Sequence, residues 1–353
     1  CIGARAGFGD LLIGAGALMC EANGFDPGAK TNLREPMVEL IKIVEGFYAW
    51  QDARRTHDLW PYAKSTATAP RTHCTALSDA GTEIRGVNFA SQDYLSLSSH
   101  PAIKEAAKRA VDEYGVHSAG SAALLGNTRH SLTLERAISD FIHGREVILY
   151  PTGWSAGFAA VQGLVRPSDH VVMDVLAHSC LQEGARAATQ NIHFHGHINV
   201  DGLRRRLQRI RAADSKNGIL VVTESLFSMH SDTPDIAALR QACDEFDAKL
   251  LVDCAHDFGC IGEDGLGHLG LQNMVDHADV IIGSFSKTFA SNGGFVAVKS
   301  RAVAEYMKYF SATQTFSNAL SPVQAAVVLT AVEIIRSDEG KRRRRALMDN
   351  ILY

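Results

Sequence analysis

The chain has 353 residues, 46% hydrophobic and 21% charged, which is ample apolar material for a large core and not the composition of a disordered chain. With 35 Lys and Arg against 39 Asp and Glu the formal net charge is −4, so no polyanion-binding surface, and hence no nucleic-acid partner, is expected. Seven cysteines (Cys1, Cys20, Cys74, Cys180, Cys243, Cys254 and Cys260) form no C-x-x-C pair, which excludes a disulfide framework and points to reduced thiols and a cytoplasmic location.

Beginning with Cys1 rather than Met, the chain reads as part of a longer polypeptide. The apolar stretch at 11–19 is too short to span a membrane and reads as a buried or interfacial helix. Helical periodicity follows in EPMVELIKIVEGFYAWQDAR (35–54), and the Thr-, Ala- and Pro-rich STATAPRTHCTALSDAG (65–81) reads as loop. From Val87 onward the texture changes. Short apolar runs appear at VILY (147–150), HVVMD (170–174), ILVVTES (219–225), KLLVDCAH (249–256), DVIIGSFSK (279–287) and GFVAVK (294–299). Amphipathic helical patterns separate them, such as SLTLERAISDFIHG, VDGLRRRLQRIRAAD and DIAALRQACDEFDA. Runs that are apolar on both faces and alternate with helices predict an α/β fold, with a mainly parallel sheet covered on both sides.

In such a sheet the ligand lies beyond the C-terminal ends of the strands. Glu224, Asp253, Ser284, Lys287 and, a little further on, His178 all fall there. The sharpest element is IIGSFSKTFASNGGF, because a lysine just after a buried strand suits Schiff-base chemistry: desolvation frees its amine to attack a carbonyl. Alone, Lys287 reads more readily as an ordinary surface lysine. Asp253, ending the neighbouring run, is the partner that a protonated pyridine nitrogen needs, and YPTGWSAGF supplies a helix N-terminus suited to phosphate.

Other motifs carry less. GWSAG fits the G-x-S-x-G elbow of serine hydrolases, but Asp253 and His256 lie too close together to line up with Ser155 as a triad. GLGHLG (265–270) does not open a helix straight after a strand, as a dinucleotide site requires. His193, His195 and His197 in HFHGH share a face if extended, yet lack a carboxylate or cysteine at motif spacing. A solvent-facing strand edge, with no metal, is expected there. KRRRR (341–345) reads as a solvated helix face, with an anionic membrane or coenzyme A contact as the minor alternative.

Taken together, NFASQDYLSLSSHP, GNTRHSLTLE, PTGWSAG, DVLAHSCLQEG, TESLFSMHSD, VDCAHDFGCIGEDGLG, GSFSKTFASNGGF and TFSNALSP cover roughly three-quarters of the chain in one order. In these stretches it resembles the α-oxoamine synthase family, which includes serine palmitoyltransferase and 8-amino-7-oxononanoate synthase. The resemblance implies the fold-type-I architecture of pyridoxal-phosphate (PLP) transferases, with a seven-stranded sheet. It also implies decarboxylative condensation of an amino acid with an acyl thioester of coenzyme A or a carrier protein, at a homodimer interface.

Residue by residue, Lys287 would bond the cofactor's aldehyde and remove the amino acid's α-proton. Asp253 would hold the pyridine nitrogen and His178 would stack on the ring. Ser228 and His256 would lie near the phenolic oxygen, with His256 also able to assist the acyl chemistry. Gly153, Trp154 and Ser284 would hold the phosphate, joined by Ser317 from the other subunit, while Glu224 supports the pocket from behind. Gln92, Tyr94 and Ser121 stand where members contact substrate; there the sequence departs from the N-D-Y-L-G and Gly-Ser-Arg-like patterns. The implied organisation is a leader and helical arm at 1–86, a cofactor domain at 87–330 and, at 331–353, the start of a connection to a small C-terminal domain that is mostly absent.

Overall fold

The computed structural model describes residues 44–57 and 59–353. The stretch at 11–19, the first half of the predicted 35–54 helix, Cys1 and Cys20 lie outside the described residues. The described residues form two compact units, dividing between Ala90 and Ser91.

In the first unit, helix α1 (Glu45–Thr56) carries Trp50, whose ring meets Trp60 edge-on at 5.9 Å. A three-stranded antiparallel sheet follows: β1 (Ser65–Thr66), β2 (His73–Leu77) and β3 (Glu83–Val87). The expectation of loop at 65–81 is therefore corrected. The turn Ser78–Gly81 closes the β2–β3 hairpin, with Gly81 at φ +82° and the Ser78 hydroxyl accepting from the Thr82 N–H at 3.0 Å. Ladder bonds supplied by β3 override the weak strand propensity of HCTAL.

The second unit opens with α2 (Pro101–Tyr114) and α3 (Arg129–Phe141), then lays down the predicted sheet. Its strands are β4 (Glu146–Tyr150), β5 (His170–Asp174), β6 (Ile192–His195), β7 (Ile219–Glu224), β8 (Lys249–Asp253), β9 (Val280–Ser284) and β10 (Gly294–Val298). Their order is β4-β10-β9-β8-β7-β5-β6; β10 runs against both its neighbours and the remaining pairs are parallel. The helices between them are α4 (Gly153–Gln162), α5 (Ser179–Ala188), α6 (Val200–Ala213), α7 (Ile236–Glu245) and the short α8 (Gly267–Leu271). After the sheet come α9 (Arg301–Phe310), α10 (Ala312–Thr315), α11 (Pro322–Arg336) and α12 (Asp338–Leu352).

Side chains alternate across the sheet. Val221, Leu250, Val252 and Ile281 pack into one apolar core with residues of α3, α6, α7 and α11. Leu220, Val222, Leu251, Val280 and Ile282 pack into the other, against α4 and α5. Each such fully buried aliphatic side chain stabilises the fold by roughly 1.5–3 kcal/mol, so two filled faces make the strand ends rigid places to mount chemistry.

Two surface expectations are corrected. Within KRRRR, Arg344 is buried, because its guanidinium donates to the carbonyl oxygens of Ile335 (2.6 Å) and Glu263. Arg343 is half-buried and reaches the Leu95 carbonyl at 2.8 Å. In HFHGH, β6 is indeed an edge strand, but His195 is buried against the sheet and His197 is held by two carboxylates. Among the described residues no group of side chains could hold a metal ion, and no helix is long and apolar enough to cross a membrane.

Candidate active site

Period-two alternation aims the polar residues at the strand ends. Leu220 and Val222 face α4 and α5, so Glu224 does too; the same count from Leu251 places Asp253, and from Val280 and Ile282 places Ser284. The parallel register sets Glu224 directly beside Asp253 on the neighbouring strand, both under a tenth exposed. His178, at the N-cap of α5, closes over them, and its N–H donates to Glu224 Oε1 at 2.8 Å. The Cys180 N–H donates to His178 Nδ1 at 3.3 Å, with the Cys180 thiol 3.0 Å from the same nitrogen, so the ring's orientation is set from below.

Behind Asp253 lies a third buried carboxyl, Asp257, that the sequence did not single out. The Ser225 hydroxyl lies 3.1 Å from the Asp253 carbonyl oxygen and 2.7 Å from Asp257 Oδ1, and the His268 N–H donates to Asp257 Oδ2 at 2.7 Å. A Cβ on Gly267 would meet Asp257 Cγ at 2.5 Å, so this glycine of GLGHLG serves packing, not a dinucleotide.

Two carboxyls side by side in a dry site do not both ionise readily. Burial, and then the charge of Asp253, push Glu224 up to about 9; burial raises Asp253 as well, opposed by its bond from the Ala255 N–H and by the charges of His178 and Lys287. Burial, then the charges of Lys287 and His178, pull His256 down to about 3. Neutral His256 has one ring N–H, and its Nδ1 shares a hydrogen bond with the Tyr94 hydroxyl, 2.8 Å away.

This arrangement has a measurable consequence. An unfolded chain releases a glutamate proton near pH ~4.3, whereas folded Glu224 holds its proton to about 9, so stability falls as pH rises across that window. Glu224→Gln is expected to flatten the decline, by up to about 1.4 kcal/mol per pH unit, in thermal unfolding of the cofactor-free protein. An unchanged slope would mean that Glu224 is ionised in the fold.

The start of α4 forms the opposite wall. Thr152 Oγ1 accepts from the Ser155 N–H at 3.0 Å, and Ser155 Oγ accepts from the Thr152 N–H at 3.1 Å, a reciprocal cap. The Ser155 hydroxyl also donates to the Thr152 carbonyl at 2.8 Å, so it is a capping group and the hydrolase reading falls. First-turn N–H groups, here those of Gly153 and Trp154, have no partner within a helix. They stand beside Ser284, for a Cβ on Gly153 would lie 2.4 Å from Ser284 Oγ. Ser286 Oγ, 2.7 Å from Ser284 Oγ, adds a hydroxyl that the sequence reading missed, although it directly precedes Lys287. Helix start and paired hydroxyls make an anion cradle.

Lys287 is half-buried and lines a cleft of about 440 Å³ together with Gln92, Ser286 and Gln324. Ser228 sits in an exposed turn after β7. The Ser121 hydroxyl donates to the Thr315 carbonyl at 2.8 Å, and that of Ser317 donates to the Thr313 carbonyl. The fold thus gathers His178, Glu224, Asp253, Lys287, His256 and Tyr94, with Gly153, Trp154 and Ser284 alongside. Ser121, Ser228 and Ser317 make no hydrogen bond to that group. A second cleft of about 530 Å³ lies at the other end of the sheet, around Ile219, Lys249 and Val280, and holds none of these residues.

The profile described as aminotransferase class I and II matches residues 84–353. The serine palmitoyltransferase of Sphingobacterium spiritivorum is 34% identical over 254 residues, which are 72% of this chain and 63% of that protein. An 8-amino-7-oxononanoate synthase of Klebsiella pneumoniae subsp. pneumoniae is 34% identical over 267 residues, 76% of this chain and 68% of that protein. The chain belongs to the aminotransferase class I and II family, in its α-oxoamine synthase branch. It spans about two thirds of the length of these α-oxoamine synthase relatives. A solved structure of serine palmitoyltransferase with PLP shares the fold at a TM-score of 0.82 and 23% identity, over 89% of this chain and 76% of that one. The architecture is accordingly that of the fold-type-I transferases, with a mixed, mostly parallel sheet.

Proposed function

We propose that the chain binds PLP and joins an amino acid to an acyl thioester, of coenzyme A or a carrier protein, releasing carbon dioxide, the free thiol and an α-amino ketone. The observation that carries this reading is the buried Glu224–Asp253 pair, set beside Lys287 at the strand ends and facing the anion cradle of α4. These residues fit the cofactor: a carboxylate for a ring nitrogen, an amine for an aldehyde and a helix start with hydroxyls for a phosphate. When bound, PLP supplies that aldehyde and a ring that withdraws charge from the amino acid's α-carbon.

Each protein group then has a task. Asp253 holds the proton on the ring nitrogen, and its negative charge is kept local because Glu224 beside it stays protonated. Ser284, Ser286 and the N–H groups of Gly153 and Trp154 bind the phosphate, joined in our reading by the partner's serine equivalent to Ser317. His178 covers the ring face, with Glu224 anchoring its backbone. Neutral His256 serves the phenolic oxygen, with Ser228 as the further candidate there. Lys287 moves the α-proton. With that proton gone, the α-carbon bonds to the acyl carbon as the thiolate leaves and takes up a proton; the carboxylate then departs as carbon dioxide and the α-carbon takes a proton in its place.

Three further points belong to the same reading. Gln92 and Tyr94 face the amino acid or acyl donor, the first by sharing the Lys287 cleft. A second copy would cover Leu124, Leu125 and Phe316, each more than 85% exposed, at the place where Ser121 ties its loop to the segment before Ser317. The described cysteines are free thiols, which suits the cytoplasm. The reading is tested by product analysis of the purified protein with PLP, an amino acid and an acyl thioester. Carbon dioxide release is expected to require the thioester; amino-group transfer without it would assign an aminotransferase instead.

A further inference from the structure

One part of HFHGH takes no share in the chemistry above. His197 stands between two carboxylates, Nδ1 3.0 Å from Asp174 Oδ1 and Nε2 3.0 Å from Asp232 Oδ2. A carboxylate only accepts, and a neutral imidazole has a single N–H, so both bonds together require an imidazolium. Burial by itself would discharge the ring, but the bonds to Asp174 and Asp232, and their charges, outweigh it and raise its pKa. The other titratable groups facing it are His195 on β6 and His230, whose ring lies 5.5 Å away; Phe227 packs edge-on at 4.5 Å.

The two carboxylates organise different segments. Asp174 is fully buried at the end of β5 and shapes the run into α5: Oδ1 also accepts from the Leu176 N–H at 2.9 Å, and its carbonyl accepts from the Ala177 N–H at 3.0 Å. His178 is the next residue. Asp232 closes the turn after β7, its carbonyl accepting from the Phe227 N–H at 2.9 Å, and that turn carries Ser228. The near limb of the turn is held independently, since Ser225 bonds to the Asp253 carbonyl. Its far limb reaches the rest of the site through Asp232 and His197.

We propose that His197 is a positioning residue: its imidazolium rivets the segment leading into His178 to the turn carrying Ser228, and so sets both groups around the ring of PLP. This rests on the PLP reading above. It places a charged histidine outside the pocket in control of His178 within it and of the turn that carries Ser228 beside it.

The test uses the full chain labelled with ¹⁵N-histidine, together with His197→Gln, Asp232→Leu, whose side chain has no hydrogen-bonding atom, and the double variant. At neutral pH the His197 ring is expected to carry protons on both nitrogens, and that signal should vanish in His197→Gln. Each single variant should bind PLP about tenfold more weakly, with the double no weaker than the singles, because all three break one connection. The pH midpoint of the bound cofactor's near-visible absorption should shift alike in the singles, which a loss of stability alone would not produce. Asp232→Leu, close to the native size on a half-buried turn, covers the case in which the His197 variant does not fold. A His197 ring with one protonated nitrogen, unchanged PLP affinity in the singles, or additive losses in the double would each overturn the rivet. A wild-type chain that binds no PLP would overturn the functional reading instead, while the ring's protonation would still be read from the spectra.

Discussion

Lys287→Ala is expected to replace the Schiff-base absorption band of the PLP-loaded protein by that of the free aldehyde and to lower turnover by at least roughly 10³-fold. The size of the effect follows from two tasks falling on one amine, bonding the cofactor's aldehyde and moving the α-proton. Neither the phosphate cradle nor Asp253 is touched by the change, so PLP should still bind, now with the absorption of a free aldehyde. The side chain is half-exposed, so thermal stability should move by no more than about 0.5 kcal/mol. The checks are absorption spectra, steady-state rates and a melting curve on one preparation. Full activity in this variant would sink the assignment.

Asp253→Asn separates function from stability at the same site. Asn preserves shape and still accepts the Ala255 N–H, made in the native protein at 2.9 Å, but cannot hold a protonated ring nitrogen by charge. Turnover should fall by about 10²–10⁴-fold, the usual scale for losing a group that stabilises charge or moves protons. Stability of the cofactor-free protein should go the other way. Burial raises Asp253, so its cost to the fold is absent at low pH, below the range where an unfolded aspartate ionises, and grows as pH rises. Asn removes that cost, and it also removes the charge that pushes Glu224 up. Thermal unfolding at pH values on either side of neutrality should therefore show the variant gaining on the native protein as pH increases. Lower stability at every pH, with activity falling only in step with unfolding, would make Asp253 a structural residue.

Both predictions concern residues already prominent in the sequence, for a definite reason. A buried strand declares itself by composition and length, and the residue that ends it stands at the sheet edge in whatever order the strands lie. ILVVTE, KLLVD and VIIGS thus announce Glu224, Asp253 and Ser284 before any topology is known. The α-oxoamine synthase resemblance likewise rests on ordered local motifs. Weak signals failed locally too: HCTAL has little strand propensity of its own and is a strand because β3 pairs with it.

What the sequence determined, then, was the alternation of buried strands and amphipathic helices, the polar residues at the strand ends, and a lysine placed to use them. Only the tertiary structure decided which of these meet. Strand order and register set Glu224 against Asp253, and so decide that one of the two stays protonated. Tyr94 reaches His256 across 162 residues of chain, and Arg344, one of a run of basic residues, turns inward to carbonyls on α11 and before α8. His197 gains its charge from carboxylates 23 and 35 residues away. A side chain's type and its period along the chain are local quantities. Its protonation and its partner depend on burial and on distances across space, which exist only once the sheet has formed.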